Sequence, residues 1–414
     1  MRSTAWNLNN TLRIAFILVN LPKNILSQQS QPRQIVKFKT LPEPSWVSSV
    51  GGELQSLHDK FHFMLGTFSE ETIQSMRRTK WVDYIEEDAL VQIAADSNGV
   101  GSWGLDRIDQ RGLPLDQKYD FIDSGGVGVD IYIVDTGIFV EHSDFDGRAK
   151  SGVTALVGPD GDRNGHGTFV AGIIGGKRYG VAKQANLISV KALSERGYGT
   201  TSSVLRGLQY VYLEHQTKEN KKTVLNLSLM SNFSRIINEA VNETALSGIV
   251  IVVPAGNGNG SANATEGVDA CGYSPVSAAN VISVGSTNIL DQLSVSSNYG
   301  PCVTIYAPGE NVTSDFIGST SAVSTLTGTS FAAAHVSGVA ALILSNYTEL
   351  LLPSEVRERI ISLSTRNAIQ KLPANSVNRL LYKQLQNYRS AATQLNDLLV
   401  PCLVSLLFVA LQLY

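Results

Sequence analysis

Val129-Asp130-Ile131-Tyr132-Ile133-Val134-Asp135-Thr136-Gly137 decides the fold. It is a short apolar run with no polar alternation, stopped by an acid, a hydroxyl and a glycine. A strand of this kind is covered on both faces. Similar runs recur at 187–190, 224–227, 249–253 and 281–284, with helical stretches at 202–214, 234–246 and 330–344 between them. Short doubly apolar strands alternating with helices predict an α/β unit, a doubly wound and mainly parallel sheet with helices on both faces.

Composition narrows the class. A chain of 414 residues with 43% hydrophobic content and 36 glycines is loop-rich and globular, long enough for more than one domain. A formal net charge of -3 without any Lys/Arg block gives no electrostatic case for a nucleic-acid partner. No spacing of His, Cys or carboxylates reads as a metal site, and no glycine loop reads as a phosphate cradle. His142 reads as part of a polar loop and His335 as part of the long apolar helix that follows residue 330, and His58, His62 and His215 stand in no metal-ligand spacing.

Three clusters at the edges of the predicted elements carry chemistry. Asp135 stands at the carboxyl end of its strand, where α/β sheets open a crevice. Gly165-His166-Gly167-Thr168 precedes a helix expected to begin near Phe169. Gly328-Thr329-Ser330-Phe331-Ala332 opens a long apolar helix. Singly, each has an ordinary structural reading: a strand-end turn former, a satisfied loop histidine and a helix N-cap. Together they supply a nucleophile, a base to take its proton and a carboxylate to orient that base.

These motifs, in the order Asp, His, Ser, resemble the three catalytic signatures of the subtilisin family, most nearly its proteinase K-like branch. The resemblance runs from Trp103-Gly104-Leu105 to Arg379-Leu380-Leu381-Tyr382. It implies a serine endopeptidase with catalytic residues Asp135, His166 and Ser330, needing no cofactor for catalysis. Ala255-Gly256-Asn257 is similar to the family segment whose asparagine completes the oxyanion hole. Gly197-Tyr198-Gly199 and Ser228-Leu229-Met230 resemble the two segments that clasp an extended protein or peptide substrate. The family usually has glycine at Met230, proline at Ala334 and often alanine at Pro254. Thr304 stands where many relatives carry a calcium-binding aspartate, which puts a structural calcium in doubt.

Residues 34–94 read as a small α+β unit. A half-buried strand begins at Gln34, and Ser69 caps a helix with Glu70 and Glu71 in its first turn. Val82-Asp83-Tyr84-Ile85-Glu86-Glu87 returns as a strand. Phe68-Ser69-Glu70-Glu71-Thr72 and Tyr84-Ile85-Glu86-Glu87-Asp88 resemble the family's inhibitory prodomain, implying a self-processing zymogen with its own prodomain as inhibitor. Residues 95–102, small and aperiodic, read as a linker open to proteolysis.

The expected organisation is therefore a signal peptide at 1–27, prodomain and linker at 28–100, catalytic domain at 101–386, and linker with apolar tail at 387–414. The tail has the layout of a lipid-anchor signal near Ser390, with a marginal transmembrane segment and a terminal core helix as rivals. Asn-x-Ser/Thr sequons, Asn232, Asn242, Asn259, Asn263, Asn311 and Asn346 among them, suit a secreted or extracellular protein, expected to be a monomer. Spacing alone leaves Cys271 and Cys302 open between a disulfide and two buried thiols. Paired cysteines in some relatives imply the disulfide. A rival to the protease reading is a binding or regulatory protein on this fold that cleaves only itself.

Overall fold

The computed structural model describes residues 32–383, except 52, 59–60, 94–95, 98–102, 122–124 and 259–265. The expected signal peptide and the apolar tail with Ser390 lie outside the described residues. So does most of the expected linker.

The opening stretch forms the strand Asp130–Asp135, and its side chains explain why no polar alternation was visible. Ile131 and Ile133 join a core with Phe169, Ile173, Phe331 and Val336 on one face. Tyr132 and Val134 join a second core with Val204, Leu208 and Ile237 on the other. The helices His166–Gly175 and Thr329–Asn346 cover the first face, and Thr201–Thr217 and Arg235–Leu246 the second. Both faces being dry, each strand residue contributes burial worth roughly 1.5–3 kcal/mol per large apolar side chain.

The sheet runs, edge to edge, Thr365–Arg366, Arg379–Leu380, Ile305–Pro308, Ile282–Thr287, Val250–Pro254, Thr223–Leu227, Asp130–Asp135, Asn186–Lys191, Ala149–Thr154. Every neighbouring pair is parallel except the first. After Asp130–Asp135 the chain builds two strands on one side, then crosses to Thr223–Leu227 on the other. That reversal opens a crevice beyond the carboxyl ends of the two central strands.

The histidine helix begins at His166 itself, three residues earlier than expected. Gly165 supplies the entry turn with φ 98°, and the low helix propensity of Gly167 had hidden the first turn. The helix Thr329–Asn346 is long and apolar enough to cross a membrane by composition, yet it is largely buried in the core.

The N-terminal unit is an antiparallel sheet in the order Glu53–His58, Phe61–Gly66, Gln34–Phe38, Val82–Glu87. Val36, Phe38, Met64, Ile73 and Met76 make its own core. Ser69 caps the helix Glu70–Arg77, its hydroxyl accepting from Thr72 N at 3.2 Å. The opposite face presents Ile35, Phe63 and Leu65 to the core that holds Val204 and Ile237. The unit is thus packed on the larger domain by a shared apolar cluster.

Two of its carboxylates cap helices of that domain. Glu86 accepts from Ile236 N at 3.0 Å and Ser234 Oγ at 2.9 Å. Asp88 accepts from Ser202 N at 2.7 Å and Ser202 Oγ at 2.6 Å. A carboxylate at a helix N-terminus satisfies orphan N–H groups and complements the dipole.

Candidate active site

Asp135 is fully buried at the end of its strand. Its carboxylate accepts Thr136 N–H at 2.6 Å and the His166 Nδ1–H, which lies 2.8 Å from Oδ1 and 2.9 Å from Oδ2. Gly167 permits this approach: a Cβ there would stand 2.1 Å from the Gly137 carbonyl oxygen. With the proton held on Nδ1, the other ring nitrogen carries a lone pair. His166 Nε2 is buried and has no hydrogen-bond partner, and the ring packs 5.5 Å from that of Phe331.

Ser330 is the second residue of its helix and is fully buried. Its Oγ lies 3.5 Å from the Ser228 carbonyl oxygen. Its N–H belongs to the first turn, where no intrahelical acceptor exists. Asn257 accepts through Oδ1 from Thr329 N at 3.1 Å and Thr329 Oγ1 at 3.0 Å. Those two donors fix the amide orientation and leave Asn257 Nδ2, also buried, without a partner. A fixed donor beside the serine is what a developing oxyanion requires.

The segments expected to clasp substrate flank a strand of the chain itself. Leu90–Ile93 runs antiparallel to Tyr198–Thr200, with Gly199 opposite Val91 and Tyr198 opposite Gln92. Gly197 O accepts from Ile93 N at 3.1 Å. On the other side it pairs antiparallel with Leu229–Asn232, Leu229 opposite Ile93 and Met230 opposite Gln92. Ser228, just before that strand, is buried and donates to Asn226 Oδ1 at 2.6 Å. Beyond the serine, Asp96–Ser97 pairs with Thr327 and Leu326. The stretch read as a linker is therefore partly strand. Backbone pairing needs no apolar periodicity, so the sequence carried no sign of it.

Two residues were missed. Asp162 accepts from Thr136 Oγ1, Asn164 N, Gly165 N, Thr168 N and Thr168 Oγ1, tying the aspartate and histidine loops together. An Asp four residues before a helix-opening histidine is the only local hint, a loop-to-cap pattern. Thr329, inside the serine motif, orients Asn257, and nothing local announces it. His142, expected in a polar loop, is buried beside Asp315, its Nδ1 3.6 Å from Oδ1.

Cys271 and Cys302 are joined in a disulfide. Thr304 Oγ1 lies 3.0 Å from Ser283 Oγ, which donates to Cys302 O. That hydroxyl is engaged and brings no carboxylate, so the donors present there do not fit a hard cation. Among the described residues no group of three or more His, Cys, Asp or Glu could hold a metal. Ala334 lies within the serine helix and Pro254 ends its strand, both buried without displacing a site residue.

Residues 126–381 match the subtilase family (Peptidase S8). The chain is 42% identical over 303 residues to subtilisin-like protease 1 of Pseudogymnoascus destructans, covering 73% of this chain and 72% of that one. It is 38% identical over 342 residues to subtilisin-like serine protease Pen c 2 of Penicillium citrinum, covering 77% and 73%. A crystal structure of a cold-adapted subtilisin-like serine proteinase superposes with a TM-score of 0.63 at 39% identity, over 70% of this chain and 100% of that one. The chain belongs to the subtilase family and is a serine endopeptidase.

Proposed function

We propose that Ser330 is the nucleophile, His166 the general base and then acid, and Asp135 the group that orients and stabilises the imidazolium. Asn257 Nδ2 and the Ser330 N–H receive the oxyanion. The observation that carries this reading is a pair of buried, unpartnered polar atoms. His166 Nε2 and Asn257 Nδ2 each belong to a residue tied to a neighbour of Ser330, the former through Phe331 and the latter through Thr329. Leaving such atoms unpaired costs about 1–3 kcal/mol each, a cost that a reacting peptide would offset. Every proton and charge in the cycle is carried by groups of the chain, so the mechanism calls on no cofactor.

The precursor is read as a prodomain and linker at 28–100 ahead of a catalytic domain at 101–386, with the prodomain blocking the cleft until it is cut and released. Gly197, Tyr198, Gly199, Ser228, Leu229 and Met230 then hold protein substrates as extended strands, by backbone pairing. The disulfide suits an extracellular enzyme. The lipid anchor rests on the sequence alone, and recovery of intact 398–414 peptide from mature protein would rule it out.

The test is Ser330→Ala. The purified variant precursor should stay full length, and the wild type should mature and then degrade unfolded casein. Mature-sized protein from the purified variant would assign the cut to another protease. Maturation without casein turnover would favour the self-cleaving regulator.

A further inference from the structure

A sugar linked to asparagine needs a side-chain amide that reaches solvent in the folded chain. The sequon Asn226-Leu227-Ser228 fails that condition, because Asn226 is fully buried and donates from Nδ2 to Ser337 Oγ at 2.9 Å. Asn242 and Asn311 use their side-chain oxygens to accept from Asn280 N at 3.0 Å and Thr327 Oγ1 at 3.3 Å, which fixes both amides against the protein. Asn346 is half-buried and partnered at the end of its helix. Asn232 is exposed, and no hydrogen bond among the described residues engages its side chain.

The place of Asn232 in the fold gives it a consequence. It ends the strand Leu229–Asn232, one wall of the clasp. Leu229 is opposite Ile93 and Met230 opposite Gln92, so two residues further along Asn232 comes level with Leu90. On its other side it is opposite Tyr273. Directly opposite residues share a face, and so do alternate residues of one strand. Asn232, Met230, Gln92, Leu90 and Tyr273 therefore look the same way, and all of them line one cavity of ≈ 210 Å³. Ser228, whose carbonyl oxygen lies 3.5 Å from Ser330 Oγ, precedes the strand. From Ser228 to Asn232 the strand rises roughly 13 Å. A bulky group on Asn232 would stand over the outer end of the cleft, away from the reacting centre.

We propose that Asn232 carries an N-linked oligosaccharide that walls the outer end of the cleft and slows substrates long enough to reach it. This rests on the reading of residues 197–199 and 228–230 as the substrate clasp. The donor is a lipid-linked oligosaccharide activated as its diphosphate, as met on the secretory route. Asn232 Nδ2 attacks the anomeric carbon, so the C–N bond forms and the C–O bond to the diphosphate breaks. The electron pair leaves with the lipid diphosphate, and one amide proton is lost to base. The sequon's hydroxyl belongs to Ser234, which is buried in the folded chain, accepting from Ile237 N at 3.3 Å and donating to Glu86 at 2.9 Å. Transfer therefore precedes the docking of this segment on the N-terminal unit. Once folded, the sugar leaves the positions beside Ser228 and Leu229 open and crowds whatever a substrate presents level with Leu90 and beyond.

Two measurements test it. First, the full chain is secreted from a eukaryotic host, and the peptide holding Asn232 is read by mass spectrometry. It should carry hexose and N-acetylhexosamine, and treatment with an amide-cleaving glycosidase should leave aspartate at that position. Unmodified Asn232 in secreted, active enzyme overturns the proposal. Second, the mature enzyme is compared with its glycosidase-treated form and with Asn232→Gln, on a tripeptide anilide and on a peptide with an octapeptide stretch before its cleaved bond. Removing the sugar by either route should raise kcat/KM on the longer substrate by about threefold to tenfold, the worth of about one net hydrogen bond along the strand, and leave the anilide within about twofold. The glycosidase route needs no variant to fold. In the sugar-free enzyme the longer substrate should also be the better one. A total lack of length dependence there overturns the clasp reading and this proposal with it. Length dependence that the sugar does not alter, or an equal effect of the sugar on both substrates, overturns this proposal alone.

Discussion

Asp315 ends the strand Val312–Asp315 with no exposed surface and no hydrogen bond to either carboxyl oxygen. It lies at the carboxyl end of the histidine helix, where a Cβ on Gly176 would be 2.4 Å from Asp144 Oδ2 and 3.0 Å from Asp315 Oδ2. Asp144 accepts from Arg178 N at 2.9 and 3.0 Å. His142 Nε2 lies 2.9 Å from Ala322 O, and its Nδ1 accepts from Asp144 N at 3.3 Å. Burial first, and the neighbouring Asp144 second, push the Asp315 carboxyl up to about 8. The helix end adds negative potential of the same sign.

A carboxyl raised in the folded state binds its proton there over a range in which the unfolded chain has lost it. Its contribution to stability is fully present below the unfolded value of 3.8 and is lost as pH rises toward about 8. The loss is about 1.4 kcal/mol per pH unit, accumulating to at most ~4 kcal/mol near neutral pH. Asp315→Asn keeps the shape and cannot ionise, although its amide must still be buried. We expect the variant to be more stable by about 1–3 kcal/mol near neutral pH and nearly equal to its parent near pH 4. Urea unfolding of the full-length precursor, with Ser330→Ala in both chains to prevent self-digestion, measures the difference at several pH values. A difference that does not grow between about pH 4 and 8, or a variant less stable at neutral pH, would refute the reasoning.

Asn257→Ala should lower kcat by about 10²–10³ with KM little changed, a magnitude carried over from a subtilisin and not from this geometry. Unchanged kcat in steady-state assays would remove Asn257 from the mechanism. Reduction of Cys271–Cys302, which closes a loop with a sequence separation of 31, should cost about 3–4 kcal/mol on chain-entropy grounds. Denaturant titration with and without reductant reads this directly. Asp88→Ala removes the cap on Ser202 and should speed dissociation of the cleaved prodomain by about tenfold, from the loss of charge-assisted bonds worth ~1–2 kcal/mol. The readout is the lag between the maturation cut and protease activity, and an unaltered lag would show that the cap does not hold the prodomain.

The local chemistry was legible in the sequence because its causes are local. A strand buried on both faces must be largely apolar, so the run 129–134, with its repeats at 187–190, 224–227, 249–253 and 281–284 and helices between them, announced a parallel sheet. Gly167 must be small where His166 meets the aspartate loop, and Ser69 must accept from the turn that follows it. Each such requirement leaves a mark within a few residues. Tertiary structure alone decided what depends on distant partners. Thr329 turns the Asn257 amide across 72 positions of sequence, and Glu86 reaches Ser234 across 148. Asp315 and His142 share a dry site that neither neighbourhood hints at. Asp96 and Ser97 become strand by backbone pairing, which any side chain tolerates. Met230 was visible in sequence only as an unusual residue. Its position against Gly256 comes from the packing of the strand Leu229–Asn232 on the segment that follows Val250–Pro254, and nothing near it in sequence announces that contact.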